Sequence, residues 1–193
     1  HLFRNAGIDA VICDPVELSF RSGRLMQAGA PIDLVYNRLT DFYLQAPAML
    51  PLRTAYETGA TVLTPHPRAH ALYADKRNLA ILSDPSRLAE LGAPQSVIDS
   101  LVTGVPRTVE VVPERAEALW AGRRGLFFKP FAGFGSRATY RGDKLTRRVW
   151  REVLGGGYVA QCLAAPSERR VAADGQTSDL KLDVRAYAYA GAI

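Results

Sequence analysis

The chain has 193 residues, 48% of them hydrophobic and 22% charged, a balance that excludes disordered and collagen-like chains and leaves room for one ordinary domain or two small ones. Its net charge of +5 favours anionic partners. Cys13 and Cys162 lack the spacing of a disulfide framework or a zinc site and fit a reducing, cytoplasmic setting, and no apolar run reaches the roughly 18 residues of a membrane span.

In chain order, His1-Leu2-Phe3-Arg4 carries neither an initiator methionine nor a signal-peptide pattern, so the natural start is expected upstream. Ala10-Val11-Ile12-Cys13 reads as a strand ended by the Asp14-Pro15 turn. A second strand is expected from Ile32 to Tyr36, with Asn37 and Arg38 at its carboxyl end. Leu50 to Thr58 has helical apolar spacing closed by Gly59, and Thr61-Val62-Leu63 makes a third strand that stops at Pro65. Strand, helix and strand with short connections predict a small parallel α/β unit. Ligands of such sheets sit at the carboxyl ends of strands, which singles out Asn37, Arg38 and the Thr64-Pro65-His66 turn; Arg38 fits equally as a surface residue after a strand. His66 and His70 share a spacing of four, but no acid or cysteine stands at ligand distance and two prolines disfavour a helix start there, so no metal site is assigned.

Helical spacing resumes from Asp75 to Leu91, restarting at Ser83-Asp84-Pro85, and Thr108 to Val112 reads as a strand before a helix from Pro113 to Trp120. Leu126-Phe127-Phe128-Lys129 is a strand ending in a lysine, followed by Gly133-Phe134-Gly135-Ser136. Two glycines beside a serine can turn several N–H groups toward one anion, a nest for phosphate oxygens; a plain hairpin loop is the alternative. Nine Lys or Arg against two acids lie between Trp120 and Glu152. Neither GxxxxGK[ST] nor GxGxxG occurs, and Tyr140 after the glycines predicts a strand–loop–strand flap, with helix from Asp143 to Leu154. Of 24 basic residues only Lys76, Lys129, Lys144 and Lys181 are lysines. A chain rich in arginine keeps lysine where a compact ammonium serves and a planar fork does not, unless their placement is chance.

Lys129-Pro130 with Gly133-Phe134-Gly135-Ser136, the upstream Asp75-Lys76, the following Tyr158-Val159-Ala160-Gln161 and Asp183-Val184-Arg185 together resemble the ATP-grasp superfamily. Its members include glutathione synthetase, D-alanine–D-alanine ligase and the ribosomal-protein glutamate ligases. The resemblance implies an α/β plus α+β fold: an N-terminal parallel α/β domain over residues 1–72, a small nucleotide-gripping subdomain with the glycine-rich flap over 73–160, and the start of a larger, truncated one over 161–193. It implies ATP and Mg2+ as cofactors, with metal ligands expected beyond Ile193 and no turnover by this chain alone, and a small carboxylate or peptide joined to an amine through an acyl phosphate.

Residue by residue, the resemblance makes Lys76 and Lys129 the ATP lysines and Gly133, Gly135 and Ser136 the flap over the β- and γ-phosphates. Tyr158 to Leu163 becomes the hinge strand, where Gln161 accepts from the adenine amino group and Leu163 offers backbone to the adenine edge. Glu168 falls where a ribose-binding acid stands, and Lys181 and Arg185 become the catalytic cations facing the γ-phosphate. Strand alternation puts Lys181, Asp183, Arg185 and Tyr187 on one face, which an ordinary solvated edge also explains. Asn37, Arg38 and Arg53 are expected to contact substrate, and Lys144 to lie on a helix surface. Gln161 replaces the hinge acid of many relatives, and Ala138 stands where many carry a third flap glycine. The alternatives are a nucleotide-binding or regulatory protein without ligase chemistry, and a nucleic-acid binder using the Arg123 to Arg151 cluster. The second is disfavoured because no exposed aromatics interleave with the basic residues.

Overall fold

The computed structural model describes residues 2–173, 175–188 and 191. The chain divides into two compact units, one of residues 1–78 and 132–135 and the other of 79–131 and 136–193.

In the first unit, α1 (Leu2–Asn5) precedes an antiparallel meander of β1 (Leu18–Arg21), β2 (Arg24–Gln27) and β3 (Ala30–Pro31). Ser22 and Gly23 adopt φ of 50° and 74° between β1 and β2, the left-handed pair that a two-residue hairpin turn requires. A parallel strand–helix–strand follows: β4 (Leu34–Tyr36), α2 (Leu50–Glu57) and β5 (Val62–Thr64), with Leu34 opposite Val62 and Tyr36 opposite Thr64. Alternation turns Val35 and Leu63 inward, where Leu63 joins Leu25, Leu44, Met49, Leu52 and Ala55 in a buried core. Next come α3 (Pro67–Tyr73) and the first residues of α4 (Arg77–Leu82).

The second unit begins with the rest of α4, α5 (Pro85–Glu90), restarted by Asp84 accepting from Ser86 and Arg87 N–H, and α6 (Gln95–Gly104). Then follow β6 (Thr108–Glu110), α7 (Ala116–Gly122), β7 (Leu126–Pro130), β8 (Tyr140–Arg141), α8 (Arg147–Leu154) and β9 (Tyr158–Cys162). The four strands form an antiparallel sheet in the order β6-β9-β7-β8. One face carries Phe128 and Ala160 into a core with Val111, Leu119, Leu145, Trp150 and Val153. Trp150 meets Phe128 edge-on at 5.4 Å between ring centroids, and burying side chains of this size stabilises by about 1.5–3 kcal/mol each. Gly142 sits against this sheet where a Cβ would fall on the Arg123 carbonyl oxygen and 2.9 Å from that of Leu126. β10 (Ser167–Ala173) and β11 (Gln176–Leu182) form a separate antiparallel hairpin.

Several expectations are corrected. Residues 10–13 form no strand: they join no ladder, and Val11 and Ile12 stand exposed. A helix does begin at Pro67, because proline is suited to the first helical position and His66 Nδ1 caps it, accepting from Ala69 N–H at 3.1 Å. Lys144 lies not on a helix but in the 3-10 turn Gly142–Lys144, exposed. The strand expected to run through Arg185 ends at Leu182. Ser167 pairs with Leu182, so the residue next across from Asp183 is Pro166, which has no N–H to continue the ladder. The alternation of Lys181, Asp183, Arg185 and Tyr187 on one strand face therefore does not hold. The β1–β3 meander was not anticipated, although Ser22-Gly23 is its signal. Ile193 lies outside the described residues.

Candidate functional site

The sheet face turned away from the core of the second unit carries the polar residues. Thr108 on β6 stands opposite Gln161 on β9, and Gln161 stands opposite Phe127 on β7. Lys129, two residues beyond Phe127, therefore shares their face. Lys129 Nζ donates to Gln161 Oε1 at 2.6 Å, and Gln161 Nε2 donates to Thr108 Oγ1 at 3.0 Å. The Thr108 hydroxyl donates to the Pro106 carbonyl at 2.9 Å, while its N–H donates to Ser83 Oγ at 2.9 Å. Ser83, Thr108 and Gln161 are 6%, 3% and 8% exposed, so this chain of hydrogen bonds is shielded from water. Among these four residues Lys129 is the charged one, and Gln161 meets it with a neutral amide. Past Gln161 the Cys162 N–H donates to Arg107 O and the Leu163 N–H to Gly125 O, both at 2.8 Å. The backbone that Leu163 can present to a ligand is thus its carbonyl and not its N–H. Sequence reasoning passed over Thr108 and Ser83; strand alternation from Gln161 identifies Thr108 once the register is known.

In the first unit, Lys76 Nζ donates to the Gly133 carbonyl at 3.0 Å. The Phe134 ring meets Phe42 edge-on at 5.7 Å, and Phe42 stacks on His70 at 3.9 Å. Gly133, Gly135, Ser136 and Ala138 have φ of 142°, 62°, 58° and 51°. Among the described residues no acceptor takes the N–H of Gly133, Gly135 or Ser136. N–H groups of a loop in which positive-φ residues alternate with others are what an anion-binding nest offers. Beside Lys76, Asp75 accepts from Arg77 N–H at 2.8 Å and from its guanidinium at 2.6 Å, and the Arg77 guanidinium holds its carboxyl below the usual range. A cavity of about 30 Å³ lined by Tyr43, His70, Asp75 and Ala132 is of the size that holds water rather than a nucleotide. A depression of about 470 Å³ at the β1–β2 turn is lined by Ser19, Arg21, Arg24 and Met26 and holds no lysine, histidine or carboxylate.

The other expected site residues lie on or beside several elements. Asn37, at the end of β4, is 7% exposed; its Oδ1 accepts from Leu39 N–H at 2.9 Å, and its Nδ2 is buried without a partner. Arg38 donates to the Tyr36 hydroxyl at 3.3 Å, and Arg53 pairs with Glu57 at 2.8 Å one turn along α2. Glu168 faces Lys181 across the β10–β11 hairpin, and Arg185 lies 3.6 Å from Asp183, both exposed. Within the basic stretch, Arg123 and Arg147 each place a guanidinium 4.0 Å from the Trp120 ring, and Arg148 pairs with Glu152. Among the described residues no group of three or more His, Cys, Asp or Glu could hold a metal ion, and no helix is long and apolar enough to cross a membrane.

No family model and no curated protein matches the chain. Solved structures similar to it include two of the ATP-grasp ligase PsnB. One is complexed with a phosphomimetic variant of its minimal precursor, Mg and ADP, and is 19% identical over 88% of this chain and 61% of that one, with a TM-score of 0.49. Another, with minimal precursor, Mg and ADP, is 19% identical over 87% of this chain and 61% of that one, with a TM-score of 0.47. The chain spans about three fifths of the length of these structures.

Proposed function

We propose that this chain binds ATP and belongs to a carboxylate–amine ligase acting through an acyl phosphate. The observation that carries the reading is the half-buried Lys129 at the end of β7, hydrogen-bonded to the buried Gln161 amide. A lysine at a strand end, half-buried and hydrogen-bonded to a neutral amide, places an ammonium where a phosphate can meet it. In this reading Lys129 meets the α-phosphate. Gln161 Oε1 accepts from the adenine amino group, the Leu163 carbonyl lies at the adenine edge, and Glu168 takes the ribose hydroxyls. The N–H groups of Gly133, Gly135 and Ser136 take the β- and γ-phosphates, as does Lys76, which donates to the Gly133 carbonyl.

The chemistry is phosphoryl transfer followed by acyl transfer. A substrate carboxylate oxygen attacks the γ-phosphorus, the bond to the β,γ-bridging oxygen breaks, and ADP leaves. An amine nitrogen then attacks the acyl carbon, phosphate departs with the C–O bonding pair, and the ammonium proton passes to solvent. The chain's contribution is cationic groups meeting the developing charge, with Lys181 and Arg185 proposed for the γ-phosphoryl. Asn37, whose buried amide has a donor to give, is proposed with Arg38 and Arg53 for the substrate, a small carboxylate or a peptide. Among the described residues no group of acids fits a magnesium site.

One observation favours a second reading, nucleotide binding without ligation: Lys181 and Arg185 each stand beside an acid in exposed segments. Calorimetric titration with ATP and ADP tests the shared premise, and absence of binding by both refutes it. With binding shown, hydroxylamine added to ATP and a panel of carboxylates separates the readings. A hydroxamate supports ligation, and its absence across the panel supports binding alone.

A further inference from the structure

Thr108 touches no ligand in the reading above, yet it ends a hydrogen-bond chain whose directions are all determined. Lys129 Nζ can only donate, so the Gln161 atom 2.6 Å from it is the acceptor, Oε1. The Pro106 carbonyl can only accept, so the Thr108 hydroxyl, 2.9 Å away, gives it its one hydrogen. Thr108 Oγ1 is left with lone pairs alone toward Gln161 and needs a donor there, which Nε2 supplies at 3.0 Å. Two independent ends thus impose one amide orientation, the kind of assignment a hydrogen-bond network decides. Thr108 is itself held by the Ser83 hydroxyl and by its place opposite Gln161 in the β6–β9 register.

Resting on the nucleotide reading, we infer that Thr108 is the positioning residue that makes the site select adenine over guanine. The second lone pair of Gln161 Oε1 accepts from the exocyclic amino group of adenine. Guanine presents a carbonyl oxygen at that position, acceptor against acceptor. A turned amide would reverse the preference, because Nε2 would then donate to guanine. Lys129 resists that turn only while its ammonium stays on Oε1; once it moves to a phosphate, Thr108 alone keeps the orientation. Turning the amide would then set Oε1 against a hydroxyl oxygen that has no hydrogen left, a buried loss that free rotation in water would not carry.

The test is calorimetric affinity for ATP and for GTP in the wild-type chain, Thr108→Val and Thr108→Ser. Wild type is expected to prefer ATP by about tenfold or more. Thr108→Val, which keeps the shape and loses the acceptor, is expected to bring the two affinities within about threefold, and Thr108→Ser to keep the wild-type ratio within about twofold. Should the valine variant not fold, Thr108→Ala removes the same oxygen with less bulk and carries the same expectation. A merely structural Thr108 would weaken both nucleotides together and leave their ratio unchanged, which overturns the inference. Equal wild-type affinity for ATP and GTP overturns it too while sparing the nucleotide reading. No wild-type binding of either refutes the reading itself.

Discussion

Lys129→Met separates a structural lysine from a ligand-binding one, because the two roles predict different numbers. Removing the ammonium deprives Gln161 Oε1 of its donor at 2.6 Å in a residue 8% exposed. An unpaired buried polar atom costs about 1–3 kcal/mol, and in a protein of this size each kcal/mol moves the melting temperature by roughly 2–4 °C. Lys129 is itself only half-buried, so the low end applies and a fall of about 2–4 °C is expected without nucleotide. For ATP the loss is a charge-assisted hydrogen bond of about 1.5–3 kcal/mol, or roughly 10- to 100-fold in dissociation constant. Lys129→Arg is not expected to rescue it, since a planar fork overfills a place shaped for a compact ammonium. Lys144→Met, in an exposed turn, is expected to change affinity by less than about twofold. Thermal unfolding and calorimetry on the same samples decide. A melting shift at Lys129→Met with ATP affinity intact, or equal affinity losses at positions 129 and 144, would refute the reasoning.

Gly142→Ala is expected to destabilise the second unit by about 1–3 kcal/mol, since the new methyl falls on the Arg123 carbonyl; urea unfolding reads it, and a wild-type midpoint would show that the turn yields freely. Gly135→Val is expected to weaken ATP severalfold while barely moving the nucleotide-free melting temperature, because φ of 62° disfavours a branched residue in an exposed loop with open space around it; a large melting shift with unchanged affinity would point to a plain hairpin. Asp41 is held below the usual carboxylate range by backbone N–H groups, Ala46 first, and Asp75 by Arg77. Their folded values lie below the unfolded ones, so the stability they contribute is full above about pH 4 and is lost as pH falls through the folded values. Urea midpoints are therefore expected to drop below pH 4, and Asp41→Asn to flatten that slope; an equally steep slope in the variant would exclude Asp41 as a source.

Elements whose signals are local were legible. The β4–α2–β5 unit shows apolar spacing ended by Gly59 and Pro65, and the restart at Asp84-Pro85 is a capping pattern, because caps and periodicity act within a few residues. Lys129 at a strand end and the glycine-containing loop after it were legible for the same reason, and the returning strand at Tyr140 followed from them. Residues 10–13 and 183–187 look like strands by composition, but a strand exists only where another chain segment pairs with it. Val11 and Ile12 have no such neighbour, and Pro166 withholds the N–H that would carry the ladder to Asp183. The Thr108–Gln161–Lys129 chain joins residues 53 and 32 positions apart. Each residue is ordinary on its own strand; only the antiparallel register of β6, β9 and β7 puts them on one face within hydrogen-bond reach. Local chemistry is written in consecutive residues, whereas the directions of a buried hydrogen-bond chain are set by which strands become neighbours, and packing decides that.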